Sequence, residues 1–266
     1  MYSLELTCKP EDFDSIVADL WDAGTAGIRE EHAGEFVRLI AGFSSNELRQ
    51  QLLDHFAGYM PTWKAEKDTD WAQYTRDAWP GRLAGKRFFL CPVWRDEPAP
   101  PGRIRLVHNP GLACGTGEHP CTRMAIEAME SVVFPGCRLA DVGTGSGMLA
   151  IAARQLGAGA AIAVDPDESV LKTARENFSL NGLQPLLAAG SADAIRSAWA
   201  DITVANISGT VLLAILEDLQ RITKPGGHLI LTGFSEDELP AFTALFPRSR
   251  ILAEEDWRCI GSSAGN

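Results

Sequence analysis

Asp141-Val142-Gly143-Thr144-Gly145-Ser146-Gly147 is the stretch on which the reading of this chain turns. Before it, Arg138-Leu-Ala-Asp-Val142 is a short apolar run of the kind that makes a buried strand. After it, Gly147-Met-Leu-Ala-Ile-Ala-Ala-Arg-Gln-Leu156 reads as a helix. The heptapeptide is therefore a strand-to-helix turn, and its glycines let the backbone approach a ligand that a Cβ would exclude. Such a turn lies at the carboxyl end of a strand, where open α/β sheets bind ligands. Two nucleotide chemistries fit it badly. A dinucleotide fingerprint counted from Gly143 needs Gly or Ala where Met148 stands, and no Gly-Lys-Ser/Thr follows to make a P-loop.

Outward from the loop, strands and helices alternate from about residue 103. Ala160 to Val164, Gln184 to Ala188, Ile202 to Ala205 and Gly227 to Thr232 read as strands. Glu168 to Leu180 and Thr210 to Ile222 read as helices, the second presenting Leu212, Leu213, Leu216 and Leu219 to the core. Arg250 to Ile260 predicts a closing strand pair with its turn near Glu255. This alternation predicts an α/β domain over residues 103–266, a mostly parallel, Rossmann-like sheet with helices on both faces.

The first 67 residues differ. Tyr2 to Thr7 alternates as a half-buried strand, and Pro10 opens a helix carrying Phe13, Ile16, Val17, Leu20 and Trp21 before a stop at Gly24. Gly27 to Glu30 and Phe36 to Gly42 follow as strands with Gly34 between them. Ser45 or Asn46 can cap a helix with Leu48, Leu52, Leu53 and Phe56, and Thr62 to Ala65 closes the set. The order β-α-β-β-α-β is the ferredoxin-like pattern, read as a small recognition domain over residues 1–67. Residues 68–102 read as a linker. It holds a helix start at Asp68-Thr-Asp-Trp71, a packed strand in Arg87 to Trp94, and the proline cluster Pro98-Ala-Pro-Pro101, which no regular helix or central strand tolerates. Trp63, Trp71, Trp79 and Trp94 read as packing residues.

Composition narrows the class. With 45% hydrophobic and 22% charged residues the chain is ordinarily globular, and 24 basic against 35 acidic residues give a net charge of −11. That argues against a protein whose main task is gripping nucleic acid phosphates. No run approaches the roughly 18 apolar residues of a membrane span, and the start lacks a secretory signal. Cysteines at 8, 91, 114, 121, 137 and 259 form neither CxxC nor a zinc-finger spacing, so buried free thiols in a reducing cytoplasm are expected and no metal site.

The polar residues at strand ends carry the chemistry. Asp165 ends the second strand, 22 residues after Gly143, where a carboxylate can accept both hydroxyls of a ribose; Asp165-Pro-Asp167 can alternatively cap the next helix. Asp193 follows the third strand, either to accept an adenine amine or as a local cap. Asn206 ends the fourth, where it offers an amide oxygen and an NH2 group or makes an Asx turn. Before the glycine loop, Asn109-Pro-Gly-Leu-Ala-Cys-Gly-Thr-Gly-Glu-His-Pro-Cys-Thr-Arg123 reads as a glycine-rich turn feeding a helix near Pro120, either a structural loop or a lid over a cofactor with the Thr122 hydroxyl in contact. Glu118 and His119 are weaker candidates for handling water or a proton.

Asp-x-Gly-x-Gly-x-Gly, then an acid, then a polar strand end, resembles the class I S-adenosyl-L-methionine-dependent methyltransferases. Gly115-Thr-Gly-Glu-His-Pro-Cys-Thr122, Asp141 to Ala153, Val204-Ala-Asn-Ile207, Trp21-Asp-Ala-Gly-Thr-Ala-Gly-Ile28 and Asp70-Trp71 together resemble the methyltransferases of large-subunit ribosomal protein eleven (L11), over essentially the whole chain. The resemblance implies a protein N-methyltransferase acting on amines of a ribosomal protein, with S-adenosyl-L-methionine as cofactor. It places cofactor contacts at Thr122, Gly143, Asp165 and Asn206; Asp141, Gly145 and Asp193 join them from the loop and strand ends. Asn206 is the expected orienter of the substrate amine. The chain departs from the family pattern at Cys114, Glu118 and Ser208-Gly209, which bears on the substrate more than on the cofactor. The alternatives are a methyltransferase for another protein or a small-molecule amine, and a noncatalytic cofactor-binding assembly protein.

Overall fold

The computed structural model describes residues 2–33, 36–65, 80–109 and 119–263. The turn expected at Gly34, the helix start at Asp68 to Trp71, Trp79, Cys114 and Glu118 lie outside them. The chain divides into two compact units, residues 1–78 and 79–266.

In the first unit, β1 (Tyr2–Cys8), α1 (Phe13–Asp22), β2 (Gly27–Ala33), β3 (Phe36–Phe43), α2 (Arg49–His55) and β4 (Thr62–Ala65) follow the ferredoxin-like order. The sheet runs β2-β3-β1-β4, with β1 antiparallel to both β3 and β4. The period of two in β1 buries Leu4, Leu6 and Cys8 against Ile16 and Leu20 of α1 and Leu52 and Phe56 beyond. Trp21 does not join them and is 54% exposed. Ile16 and Leu20 already hold the buried stripe at i and i+4, and the next residue is turned by about 100°. Trp63 instead stacks on Tyr2 and Phe43, with ring centroids 5.9 and 5.4 Å apart.

The second unit holds two sheets. A three-stranded one, β5 (Arg82–Ala84), β6 (Phe88–Pro92) and β7 (Ile104–His108), has β6 wholly buried and parallel to β7. The proline cluster lies in the connection between these two strands, which must be long because parallel neighbours need a crossover. The larger sheet has the order β10-β9-β8-β11-β12-β14-β13. Its strands are β8 (Arg138–Val142), β9 (Ala160–Asp165), β10 (Leu186–Ala189), β11 (Ala200–Asn206), β12 (Thr223–Ser235), β13 (Arg250–Glu254) and β14 (Trp257–Ser263). β8 to β12 pair in parallel, and β14 runs against both of its neighbours. The strand order reverses between β8 and β11, and that reversal opens the crevice in which doubly wound folds bind ligands.

Helices α3 (Pro120–Val132), α4 (Met148–Leu156), α5 (Glu168–Leu180), α6 (Gly209–Ala214), α7 (Leu216–Ile222) and α8 (Leu239–Leu245) cover the two faces. Alternation along β8 sends Leu139 to one core, with Met129 and Ile151, and Ala140 and Val142 to the other, with Leu212, Leu219 and Phe242. The single helix expected over Thr210 to Ile222 is two. Ile215 leaves helical geometry at φ −107°, ψ 12°, which re-aims the second piece. Leu212 and Leu219 are fully buried, whereas Leu213 is 40% exposed, one step round the helix from the stripe. Cys8, Cys91, Cys121, Cys137 and Cys259 are buried free thiols. Among the described residues no helix is long and apolar enough to cross a membrane.

Candidate active site

The glycine loop leaves β8 with Gly143, Gly145 and Gly147 all at positive φ, 74°, 52° and 82°. At Gly143 the requirement is also steric, since a Cβ there would sit 2.3 Å from Cγ2 of Ile207. The amides of Gly143 and Thr144 both donate to the Val164 carbonyl, at 2.9 and 3.0 Å, which ties the loop to β9. Asp141 lies beneath it, buried. Its Oδ2 accepts from Thr144 Oγ1 at 2.7 Å and from the Ala150 amide at 3.1 Å, while Oδ1 is buried with no partner. Burial pushes this carboxyl up to about 6 against the opposing pull of the two hydrogen bonds, and the nearby Asp165 charge adds to the rise.

At the end of β9, Asp165 is drawn to this loop. Its Oδ2 accepts from the Gly145 amide at 2.9 Å and its Oδ1 from the Asp167 amide at 3.0 Å. The cap of α5 is Asp167, which accepts from the Ser169 amide at 2.8 Å, so the two carboxylates of Asp165-Pro-Asp167 divide their work. Asp193 is exposed in a short turn after β10, where it accepts from the Ser191 amide at 3.3 Å.

Across the crevice, Asn206 ends β11 and its Nδ2 donates to Oγ1 of Thr122 at 3.2 Å. Thr122 is buried in the first turn of α3. His119 caps that helix, its Nδ1 accepting from the Cys121 amide at 3.3 Å, and its ring meets Trp257 edge-on at 4.5 Å. Desolvation, then the Arg123 charge, hold His119 below the usual imidazole value. Arg123 Nε bonds Glu254 at 2.9 Å, fixing the start of α3 to β13.

Two residues that sequence reasoning passed over shape this corner. The Ile207 amide donates to Thr232 O at 3.1 Å, and Gly233, at φ 103°, lies so near that a Cβ would meet the Ile207 carbonyl at 2.2 Å. Ile207 is thereby held between Gly143 and Gly233. Val204-Ala-Asn-Ile207 marks the strand end in the sequence, but nothing local links Ile207 to either glycine.

The structure thus gathers Asp141, Gly143, Gly145 and Asp165 in one loop cluster, and Thr122 with Asn206 at the adjoining strand end. A buried carboxylate oxygen without a partner suits a cationic group, and a strand-end carboxylate beside positive-φ glycines suits a ribose. S-adenosyl-L-methionine, which carries both, fits this donor and acceptor set.

Residues 4–264 match the family described as "Ribosomal protein L11 methyltransferase (PrmA)". A protein of that name from Exiguobacterium sp. is 30% identical over a stretch covering 96% of this chain and 89% of that protein. One from Gloeobacter violaceus is 37% identical over 74% of this chain and 64% of its own length. The crystal structure of a ribosomal protein L11 methylase from Lactobacillus delbrueckii subsp. bulgaricus superposes with a TM-score of 0.63 at 28% identity, covering 69% of this chain and 97% of that one. The chain belongs to the ribosomal protein L11 methyltransferase (PrmA) family, with a Rossmann-like methyltransferase fold and S-adenosyl-L-methionine as its cofactor.

Proposed function

We propose that the protein transfers methyl groups from S-adenosyl-L-methionine to amines, lysine side chains or the N-terminal amine, of large-subunit ribosomal protein L11. The observation that carries this reading is the Asn206–Thr122 pair at the mouth of the glycine loop, in a chain that matches the family from end to end. Held in the loop, S-adenosyl-L-methionine supplies a methyl group already activated on a sulfonium, so the protein contributes mainly alignment and desolvation.

Asp165 accepts the ribose hydroxyls, Asp141 neutralises a cationic group, and Asp193 accepts an adenine amine. Thr122 engages Nδ2 of Asn206, which leaves Oδ1 to accept an N–H of the incoming amine and aim its lone pair. A lysine near its usual pKa of about 10.4 is mostly protonated at neutral pH, and entry into a desolvated crevice favours the neutral nucleophile.

Intact-mass analysis of purified L11 incubated with the protein and S-adenosyl-L-methionine tests this reading. Methyl increments on L11 that vanish with Asn206→Ala support it. Unmodified L11 alongside tight cofactor binding would redirect the search to another amine.

A further inference from the structure

Asn177 on α5 and Asn181 at its C-cap stand in for a neighbouring strand along the edge of β7. Asn181 accepts the Val107 amide at 3.0 Å and donates to the Val107 carbonyl at 2.7 Å. Asn177 treats Asn109 in the same way, at 2.6 and 3.1 Å. The spacings match: two residues of strand advance about 6.6 Å and four of helix about 6 Å, so asparagines one turn apart meet alternate strand residues.

Asn177 makes one contact that Asn181 does not. Its Nδ2 also donates to the carbonyl of Ser146 at 2.8 Å, inside the glycine loop, and Asn177 is 1% exposed. Both amide protons and the amide oxygen are thus used in a buried site. The Ser146–Gly147 peptide is pinned at both ends, because the Gly147 amide donates to Thr144 O at 2.9 Å. Gly147, at φ 82°, is a position where a peptide can rotate at low steric cost once the carbonyl is released.

We infer that Asn177 is a positioning residue for the cofactor loop, setting the Ser146–Gly147 peptide, while Asn181 bonds Val107, Gln155 and the Asn177 carbonyl rather than the loop. This rests on the glycine loop holding S-adenosyl-L-methionine. The test is calorimetric titration of S-adenosyl-L-methionine into the full chain, wild type against Asn177→Ala and Asn181→Ala, with melting temperatures and methyl-transfer kinetics of each.

Both variants lose stability. Asn177→Ala binds the cofactor at least about 10-fold more weakly and raises its KM, with kcat at saturation changed less than about 3-fold, whereas Asn181→Ala stays within about 2-fold of wild type in affinity. Asn177→Ser, which keeps a polar atom in the same space but cannot span to both carbonyls, shows the same loss and serves if the alanine variant does not fold. Equal affinity losses at 177 and 181, or none at 177, overturn the inference. Wild type that does not bind S-adenosyl-L-methionine would instead overturn the cofactor reading beneath it.

Discussion

Asn206 and Thr122 are 84 positions apart in sequence, yet the side-chain amide of one donates to the hydroxyl of the other at 3.2 Å. The bond joins the end of β11 to the first turn of α3 and occupies Nδ2 of the Asn206 carboxamide, which in the proposed reading leaves Oδ1 for the substrate amine. Thr122→Val keeps the shape of the side chain and removes the hydroxyl, freeing the carboxamide to rotate. Misplacement of a positioning group by about 1 Å costs on the order of 10²-fold in rate. Steady-state kinetics are therefore expected to show kcat down by about 10- to 100-fold for Thr122→Val and further for Asn206→Ala, with smaller changes for Thr122→Ser. Full turnover in Asn206→Ala with unchanged cofactor affinity would rule out its assigned role.

Gly143→Ala combines two penalties. A left-handed conformation costs a non-glycine residue about 1–2 kcal/mol, and the new Cβ would press on Ile207 Cγ2 from 2.3 Å, adding about 1–3 kcal/mol of overpacking. Urea unfolding should register a loss of about 2–5 kcal/mol. In an Ile207→Ala background the steric part disappears and the conformational part stays. An identical loss in both backgrounds would show that Ile207 is not the obstacle.

His108 and Asp141 give opposing pH dependences. His108 is 2% exposed with a buried Nδ1 that has no partner, and burial pushes it down to about 4. Its neutral form contributes stability that is present above pH 6.5 and is lost as pH falls toward 4, by about 3 kcal/mol in all. Asp141 is raised, so its contribution is present below pH 3.8 and is lost as pH rises through about 6. Unfolding free energies measured from pH 4 to 7 should lose their acid-side fall in His108→Phe and their rise-with-acid component in Asp141→Asn. A variant whose pH profile parallels wild type would exclude that residue as the source.

In the proposed reading Asp141 also links proton and cofactor. A cationic group brought to its orphaned oxygen favours the carboxylate, so cofactor affinity should climb as pH rises from 5 to 7 and binding near pH 6 should release protons. Calorimetry in buffers of different ionisation enthalpy measures that release, and Asp141→Asn should abolish it. Proton release unchanged in Asp141→Asn would move the linkage to another group.

The two leucines of α6 separate pattern from packing. Leu212→Ala removes a fully buried side chain and should cost about 2–5 kcal/mol. Leu213→Gln, at a 40% exposed site, should stay within about 0.5 kcal/mol. Comparable losses at both positions in denaturant melts would contradict the assignment of Leu212 to the core and Leu213 to the exposed face.

Those leucines also show where the sequence is legible. Strand alternation and helix caps are local, so Arg138–Val142, Glu168–Leu180 and the turn at Glu255, which adopts φ 52°, can be read from their own residues and immediate neighbours. The break at Ile215 carries no Gly or Pro to announce it, and Leu213 lies one step round the helix from the buried Leu212. Arg82–Ala84 is too short to show a period, so this edge strand of the small sheet has no signal, whereas the middle strand is read in Arg87 to Trp94. The cofactor loop announces itself through its glycines. Its supports, Ile207, Gly233 and Asn177, do not, because each acts on a partner distant in sequence.

The most direct test is to incubate the purified protein with total large-subunit ribosomal proteins and S-adenosyl-L-methionine labelled in its methyl group, and to follow the label by gel. Label in a single band at L11, absent with Asn206→Ala, is the expected result. Label in other proteins and none in L11, under conditions where the cofactor binds, would contradict the assignment of L11 as substrate.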